Sequence, residues 1–250
     1  MRLTYIYHSG FAIEHPNFTI IIDYYEDSLG EGRGVVHDRL LHRPQKLYVL
    51  ASHSHPDHFN PEILNWRDIR SDITYVFSKD IETMSGVSDL KYKNISFVDK
   101  GEVYTDELLQ IYAFGSTDLG ISFKLKFDEM VMFHAGDLNN WHWNEESTVD
   151  EITEAEKVYM KELNHIASYT SCLDLALFPV DPRLGKDYML GAEEFLSKIP
   201  TKLFVPMHFG ESYEKAEAIR VVAEKYNTKV YVPPRRGEIL DHIENIIDNI

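Results

Sequence analysis

The stretch His53-Ser54-His55-Pro56-Asp57-His58 decides how the chain is interpreted, because it places three imidazoles and a carboxylate within six residues. It follows directly on the apolar run Lys46–Ser52, which predicts a buried strand. The motif therefore lies at the carboxyl end of a strand, where α/β proteins usually place their sites. Alternatively, these histidines could cap a following helix. In a chain with 12 histidines, however, this spacing arises by chance only on the order of 2 times in a thousand.

The spacing inside this stretch predicts ligands for two metal ions. Residues two apart in an extended segment face the same side, so His53 and His55 can bind one ion together. Pro56 breaks the extended run and favours a turn, which swings Asp57 and His58 round as ligands for a second ion. Imidazole nitrogen and carboxylate oxygen suit zinc, manganese or iron.

Two further candidate ligands follow apolar strands later in the chain. Met130–Ala135 leads through Gly136 into Asp137, a carboxylate that could bridge two ions or simply close a turn. The strand Lys202–Pro206 leads to His208, which alone would more often be a hydrogen-bonded core or turn histidine. Beside the first stretch, we expect both residues to be ligands.

The remaining pattern predicts one α/β domain over residues 1–250. Short β-type runs fill the first half, and residues 24–44 predict a long surface loop. In the second half, the capping box Thr148–Glu151 begins an amphipathic helix to about Tyr169, after which strands and helices alternate. This order indicates two sheets with helices outside them. Further runs that predict strands are Leu3–His8, Phe11–Glu14, Phe18–Asp23, Thr74–Phe77, Ser96–Val98, Leu109–Phe114, Ile121–Phe127, Leu173–Val180 and Lys229–Val232, and those that predict helices are Glu62–Asn65, Gly191–Lys198 and Tyr213–Tyr226.

Composition excludes several classes of function. The 250 residues are 44% hydrophobic and 26% charged, which is ordinary for a globular protein. With 25 Lys+Arg against 41 Asp+Glu, the net charge of −16 would repel large nucleic acids and anionic membranes. Cys172 is the single cysteine, which excludes an internal disulfide, and we see no signal peptide and no membrane-spanning run. We therefore expect a cytoplasmic protein with a small-molecule substrate; homo-oligomerisation stays open.

These motifs together resemble the metallo-β-lactamase superfamily. His53–His58 matches its His-x-His-x-Asp-His signature, while Gly136-Asp137 and Pro206-Met207-His208 match its later strand ends. Tyr7–Phe11 and Phe178–Asp181 look like the branch that contains L-ascorbate-6-phosphate lactonase and related metal-dependent hydrolases. The resemblance implies a four-layer αββα sandwich with the metals at one edge. It also implies that His53 and His55 serve one metal, that Asp57, His58 and His208 serve the other, and that Asp137 bridges them.

One position departs from the family pattern. The family usually supplies a further histidine to the first metal from the strand pair before Gly-Asp, but residues 114–123 contain none. Asp118 could substitute, His134 could reach in, or the first site could be weak. If Asp118 substitutes, its harder oxygen should shift preference towards manganese or iron and away from zinc.

Five residues are candidates for substrate contact. Each also has a structural interpretation: a strand-end histidine, packing aromatics, or a solvated turn. Arg183 follows Asp181 near a strand end, where its cation could contact an anionic group. The candidates are His8, Trp141, His142, Asp181 and Arg183.

These observations predict a metal-dependent hydrolase. One or two divalent ions, zinc first and manganese or iron next, would lower the pKa of a bound water towards about 7. Asp57 or Asp137 would orient this nucleophile and take its proton as it attacks a small ester, lactone, amide or phosphoester. Two alternatives stay open: a small-molecule phosphodiesterase or nuclease of the same fold, and a metal-binding protein that has lost activity.

Overall fold

Apolar residues occupy both faces of several strands, which a sheet requires when both of its faces are covered. Every residue of β2 (Gly10–Glu14) and β3 (Phe18–Ile22) is buried, for example. The computed structural model describes residues 1–30, 32–84, 87 and 94–248. The other strands are β1 (Arg2–Tyr7), β4 (Lys46–Ala51), β5 (Ile73–Ser78), β6 (Ile95–Val98), β7 (Val103–Thr105), β8 (Gln110–Gly115), β9 (Ile121–Phe127), β10 (Met130–His134), β11 (Leu173–Pro179), β12 (Thr201–Met207), β13 (Lys229–Val230) and β14 (Ile239–Asp241).

The strands form two mixed sheets of seven strands each. The first has the order β14-β1-β2-β3-β4-β5-β6, and the second has the order β13-β12-β11-β10-β9-β8-β7. In both sheets one half is antiparallel and the other is parallel: β3 to β6 run parallel in the first, and β10 to β13 in the second. The carboxyl ends of these parallel strands can therefore supply residues to a common edge.

Helices cover the outer faces of both sheets. They are α1 (Val35–Asp38), α2 (Val149–Ser168), α3 (Leu190–Lys198), α4 (Tyr213–Glu217), α5 (Ile219–Glu224) and α6 (Ile243–Asp248), with 3-10 helices at Leu40–His42, Pro61–Asp68, Lys79–Thr83 and Pro182–Asp187. The main core lies between the sheets and continues under α2 and α3, while a second apolar cluster joins the first sheet to Trp66 and its neighbours. The predicted αββα sandwich is confirmed.

The helix α2 begins as the sequence predicts. Thr148 Oγ1 accepts the Glu151 N–H, and the Glu151 carboxylate accepts the Thr148 N–H in return. Among the described residues, no helix has the length and apolar character needed to cross a membrane.

Two local predictions need correction. Residues 24–44 are not all loop, because buried Val36, Leu40 and Leu41 fold against the first sheet as α1 and a 3-10 turn. Glu31, within that segment, lies outside the described residues. The helix predicted over Tyr213–Tyr226 is interrupted at Ala218 and forms α4 and α5 instead.

Candidate metal centre

Most of the predicted ligands meet at the edge where strands of both sheets end. His53 follows β4 closely, Asp137 follows β10, and His208 follows β12 directly. Because β10, β11 and β12 run parallel, their carboxyl ends lie side by side. His8, which follows β1, reaches the same edge, since its carbonyl accepts the His208 N–H at 3.2 Å.

The chain turns sharply inside the stretch 53–58. The N–H groups of His58 and Phe59 both donate to the carbonyl of His55, at 3.0 and 2.9 Å, which closes the turn expected at Pro56. His53 and His58 are fully buried, whereas the side chain of His55 is 43% exposed. The turn thus separates the first two histidines from Asp57 and His58.

Two clusters of potential ligands result, and within each the ligand atoms lie no more than 4.8 Å apart. The first cluster is His53, His55, Asp118 and Asp137. The second cluster is His8, Asp57, His58 and His208. The division separates His53 and His55 from Asp57, His58 and His208. It places Asp118, one of the candidates for the first metal, beside His53 and His55, and it places His8 in the second cluster.

Asp137 belongs to the first cluster and also faces the second. Its Oδ2 is 3.4 Å from Nε2 of His53, and its Oδ1 is 3.0 Å from Nε2 of His58 and 3.3 Å from Nε2 of His208. The two oxygens of one carboxylate thus face different clusters, which is the geometry that a bridging ligand needs.

Asp23 is a residue of this site that the sequence analysis missed. This fully buried carboxylate follows β3 and accepts hydrogen bonds from Ser52 N–H (2.7 Å), the Ser52 hydroxyl (2.7 Å) and His58 Nδ1–H (2.8 Å). Since the Ser52 hydroxyl donates to Asp23, Ser52 Oγ accepts from Nδ1 of His53 at 3.0 Å. One carboxylate therefore orients a histidine of each cluster. The signal was a carboxylate directly after an apolar strand, Ile20-Ile21-Ile22-Asp23, as at Asp137.

Asp181 orients His208 in the same way. Nδ1 of His208 lies 3.0 Å from Oδ2 of Asp181, and Nη2 of Arg183 donates to the same oxygen at 2.6 Å. Asp181, a candidate for substrate contact, is 1% exposed and belongs to the lining of a cavity on the side of His8, and its carboxylate lies behind His208. A carboxylate on the far nitrogen fixes the tautomer of a metal-binding imidazole.

Buried ligand atoms without hydrogen bonds show that these residues are suited to divalent ions. Nε2 of His8, His53, His58 and His208 and Oδ1 of Asp137 are buried, and none makes a hydrogen bond. Buried polar atoms are nearly always paired, so such a group of unpaired acceptors needs an explanation. Because Nδ1 of His53, His58 and His208 donates to oxygen, the neutral form of each ring has its lone pair on Nε2, directed at its cluster. The arrangement suits cations with imidazole and carboxylate ligands.

The carboxylates of the two clusters also favour a positive charge between them. Burial opposes ionisation of Asp57, but nearby His8, His58 and His208 outweigh it and hold the pKa of that carboxyl below its usual range. Burial likewise acts to lower the pKa of His58, but Asp137 and Asp23 raise that pKa to about 10. The negative charge of Asp137 and Asp23 therefore favours positive charge at His58. A metal ion would displace its proton.

Glycines bring the Asp118 segment and the end of β10 close to β4. At Gly120, where φ is +70°, a Cβ would lie 2.2 Å from the carbonyl oxygen of Ser52. At Gly136, where φ is +54°, a Cβ would lie 2.8 Å from Cβ of Ser52. These approaches let Oδ2 of Asp118 come within 3.5 Å of Nδ1 of His55.

Two predicted residues lie outside both clusters. His134 Nε2 is 2.9 Å from the carbonyl of Ser9, and its Nδ1 accepts the Gly136 N–H, so both nitrogens are used. His142 is also buried, with Nε2 3.2 Å from the carbonyl of Asp187 and Nδ1 accepting the Asn144 N–H. The structure therefore makes His134 and His142 packing residues rather than metal or substrate contacts.

Two cavities open beside the clusters. One of about 330 Å³ is lined by His55, Asp118 and Asp137 of the first cluster, by Asp57 and His208 of the second, and by Thr117, Trp141, Trp143 and Arg183. The other, of about 380 Å³, lies on the side of His8, Tyr7 and Tyr25. Asp57, Arg183 and His208 line both cavities. Trp141 and Arg183, two of the candidates for substrate contact, line the first of these cavities.

A comparison with known protein families identifies the family of this chain. The sequence profile of a β-lactamase superfamily domain matches residues 2–152, which include β1 to β10 and the stretch 53–58. The chain belongs to the metallo-β-lactamase superfamily. No curated protein sequence matches it.

Solved structures of this superfamily's fold cover nearly the whole chain. Igni18, a metallo hydrolase from Ignicoccus hospitalis, is 18% identical with a TM-score of 0.67, over 96% of this chain and 97% of its own. An isothiocyanate hydrolase from Delia radicum gut bacteria is 17% identical with a TM-score of 0.56, covering 96% and 98%. CmlA, a diiron β-hydroxylase from Streptomyces venezuelae, is 14% identical with a TM-score of 0.66, covering 96% and 53%. At these identities the three structures show the fold alone.

Proposed function

We propose that the protein is a metal-dependent hydrolase of small molecules and that its two clusters each hold one divalent ion. The observation that carries this is the convergence of four buried, unpaired Nε2 atoms on carboxylates at the sheet edge. The superfamily match and the metallo-hydrolase neighbours support the same class. The single cysteine, which precludes an internal disulfide, suits the cytoplasmic location that we expect.

The two proposed catalytic carboxylates have different tasks. Asp137 is 8% exposed and faces both clusters, so it holds a fixed negative charge between them. Asp57 is 34% exposed and lines both cavities, so it can orient an attacking water and accept its proton. When bound, divalent ions supply Lewis acidity and lower the pKa of water to near neutrality.

The donor sets bear on which metal is bound. Zinc remains the first candidate, because imidazole nitrogen dominates the second cluster. The first cluster pairs two imidazoles with two carboxylates, a harder set that suits manganese or iron as well.

The residues that line the two cavities suit a small substrate with an anionic group. Arg183 is 62% exposed and lines both cavities, so it can contact a carboxylate or phosphate. The Trp141 and Trp143 rings lie 6.3 Å apart and nearly parallel, which gives an apolar wall on the same side. A lactone or ester of an organic acid or sugar phosphate fits this combination, in keeping with the lactonase-like resemblance.

A reloading experiment tests the proposal. The protein is stripped with EDTA, reloaded with zinc or manganese, and assayed on lactones, p-nitrophenyl esters and bis(p-nitrophenyl) phosphate. We expect at least one class to be hydrolysed by the loaded protein alone. His55→Ala should lower turnover by about 100-fold or more, because losing a direct ligand costs more than losing a group that only hydrogen-bonds a ligand. His15→Ala is the matched control, since His15 pairs with Asp128 outside both clusters.

The outcomes separate the alternatives. Hydrolysis of the phosphodiester alone would favour a phosphodiesterase. Binding of two ions without hydrolysis of any class would favour a metal-binding protein that has lost activity. Undiminished turnover in the stripped protein would contradict the proposal.

A further inference from the structure

His8 occupies a position that its sequence context did not predict. It was expected to contact substrate, yet it is the fourth member of the second cluster. Its Nε2 is buried, makes no hydrogen bond and lies 3.3 Å from Oδ2 of Asp57. Its ring centroid lies 4.0 Å from that of His208. The free nitrogen therefore faces the same space as those of His58 and His208.

The backbone of His8 adopts a left-handed conformation that non-glycine residues rarely adopt. The pairing of β1 with β2 shifts register between Tyr5 and Tyr7, an irregularity of the kind that re-aims side chains next to sites. His8 then adopts φ +56°, and its partner His208 adopts φ +63°. The His8 N–H donates to the Tyr5 hydroxyl at 3.0 Å, and its carbonyl accepts the His208 N–H. Left-handed backbone at non-glycine residues persists only where the surroundings enforce it.

We propose that His8 binds the ion of the second cluster directly, through Nε2. This inference rests on the proposed function only in requiring that the second cluster holds an ion. The second cluster then has three imidazoles and one carboxylate of its own, besides the shared Asp137. The first cluster keeps two imidazoles and two carboxylates.

This assignment implies that the two clusters differ in their affinity for zinc. Nitrogen-rich ligands favour zinc over manganese, whereas additional carboxylates favour manganese. The second cluster is also the more buried, since His58 and His208 are nearly inaccessible while His55 and Asp118 are 43% and 48% exposed. We therefore expect the second cluster to bind zinc more tightly than the first.

The test measures metal binding rather than activity. The variant His8→Asn retains a residue type that tolerates left-handed backbone, but its shorter side chain cannot reach the position of Nε2. Zinc content and affinity are measured by competition with a chelator, and cobalt is used to record the visible absorption of the bound ions. We expect His8→Asn to lose more than ~100-fold affinity for one ion, to keep the other, and to change the cobalt spectrum. The matched control His15→Asn should resemble the wild type.

The results distinguish this inference from the proposed function. Unchanged zinc affinity and an unchanged cobalt spectrum in His8→Asn would show that His8 is not a ligand. A wild-type protein that binds no ion would overturn the proposed function as well. Circular dichroism of the metal-free proteins checks folding. If His8→Asn does not fold, His8→Gly, which relieves the left-handed strain, carries the same expectation.

Discussion

At the scale of single residues, the identity of residue 118 bears on which metal the first cluster prefers. Oδ2 of Asp118 lies 3.5 Å from Nδ1 of His55, in the region where the family usually supplies a histidine. The competing candidate His134 has both ring nitrogens bonded to the backbone of Ser9 and Gly136. We therefore propose Asp118 as the donor that replaces the family histidine.

Substitution of Asp118 should change metal affinity and metal choice. We expect Asp118→Ala to weaken binding at one site by at least ~10-fold, with a larger loss for manganese than for zinc, because a hard oxygen ligand is removed. Asp118→His should move the preference back towards zinc. Competition titrations with both metals measure this, and His134→Ala should keep both ions. Equal affinities in Asp118→Ala and the wild type would exclude Asp118 as a ligand.

At the scale of elements, the turn between β8 and β9 positions Asp118 through Gly120. A Cβ there would collide with the carbonyl of Ser52 and lie 2.6 Å from Cβ of His53. Gly101 is a matched control, because it also has positive φ (+89°) but nothing within 4 Å of a Cβ.

The two glycines should respond differently to alanine. Gly101→Ala should cost only the left-handed backbone penalty, about 1–2 kcal/mol of unfolding free energy. Gly120→Ala should cost more and should also weaken metal binding at the first cluster, because the turn must move away from β4. Urea unfolding and metal titration of both variants measure these effects. Equal destabilisation with unchanged metal binding would show that this approach does not position Asp118.

Most elements could be predicted from sequence, because their causes are local. Apolar runs gave β4, β10 and β12, and the capping box at Thr148 gave the start of α2. Asp23 was missed because a single aspartate after a strand has many local uses, and only its contacts with Ser52 and His58 reveal this one. The place of His8 depends on a register shift and on a hydrogen bond with His208, and neither leaves a pattern in the chain.

At the scale of the whole molecule, Asp106 ties the two sheets together at the end of β4 away from the metal centre. It follows β7 of the second sheet, and its Oδ2 accepts from Lys46 Nζ (2.8 Å) and the Tyr48 hydroxyl (2.6 Å) of the first. Burial acts to raise the pKa of Asp106, but the hydrogen bonds from Lys46 and Tyr48 outweigh it and lower that pKa to about 2.

The stability of the fold should therefore depend on Asp106 in a defined pH range. Its pKa is lower in the folded than in the unfolded chain, so its stabilisation is fully present above about pH 4 and is lost as pH falls towards 2. Asp106→Asn should be less stable at pH 7 by about 1–2 kcal/mol, a difference that disappears near pH 2. Urea unfolding across pH measures it, with the exposed Asp68→Asn as control. A difference that persists unchanged at pH 2 would contradict this account.

The central claim is that the two clusters hold divalent ions, and anomalous scattering from a crystal tests it most directly. Data collected at the zinc and manganese absorption edges from metal-loaded crystals locate each ion and identify its element. We predict one peak among His53, His55, Asp118 and Asp137, and another among His8, Asp57, His58 and His208. Crystals grown with saturating metal that show no peak at either cluster would contradict the claim.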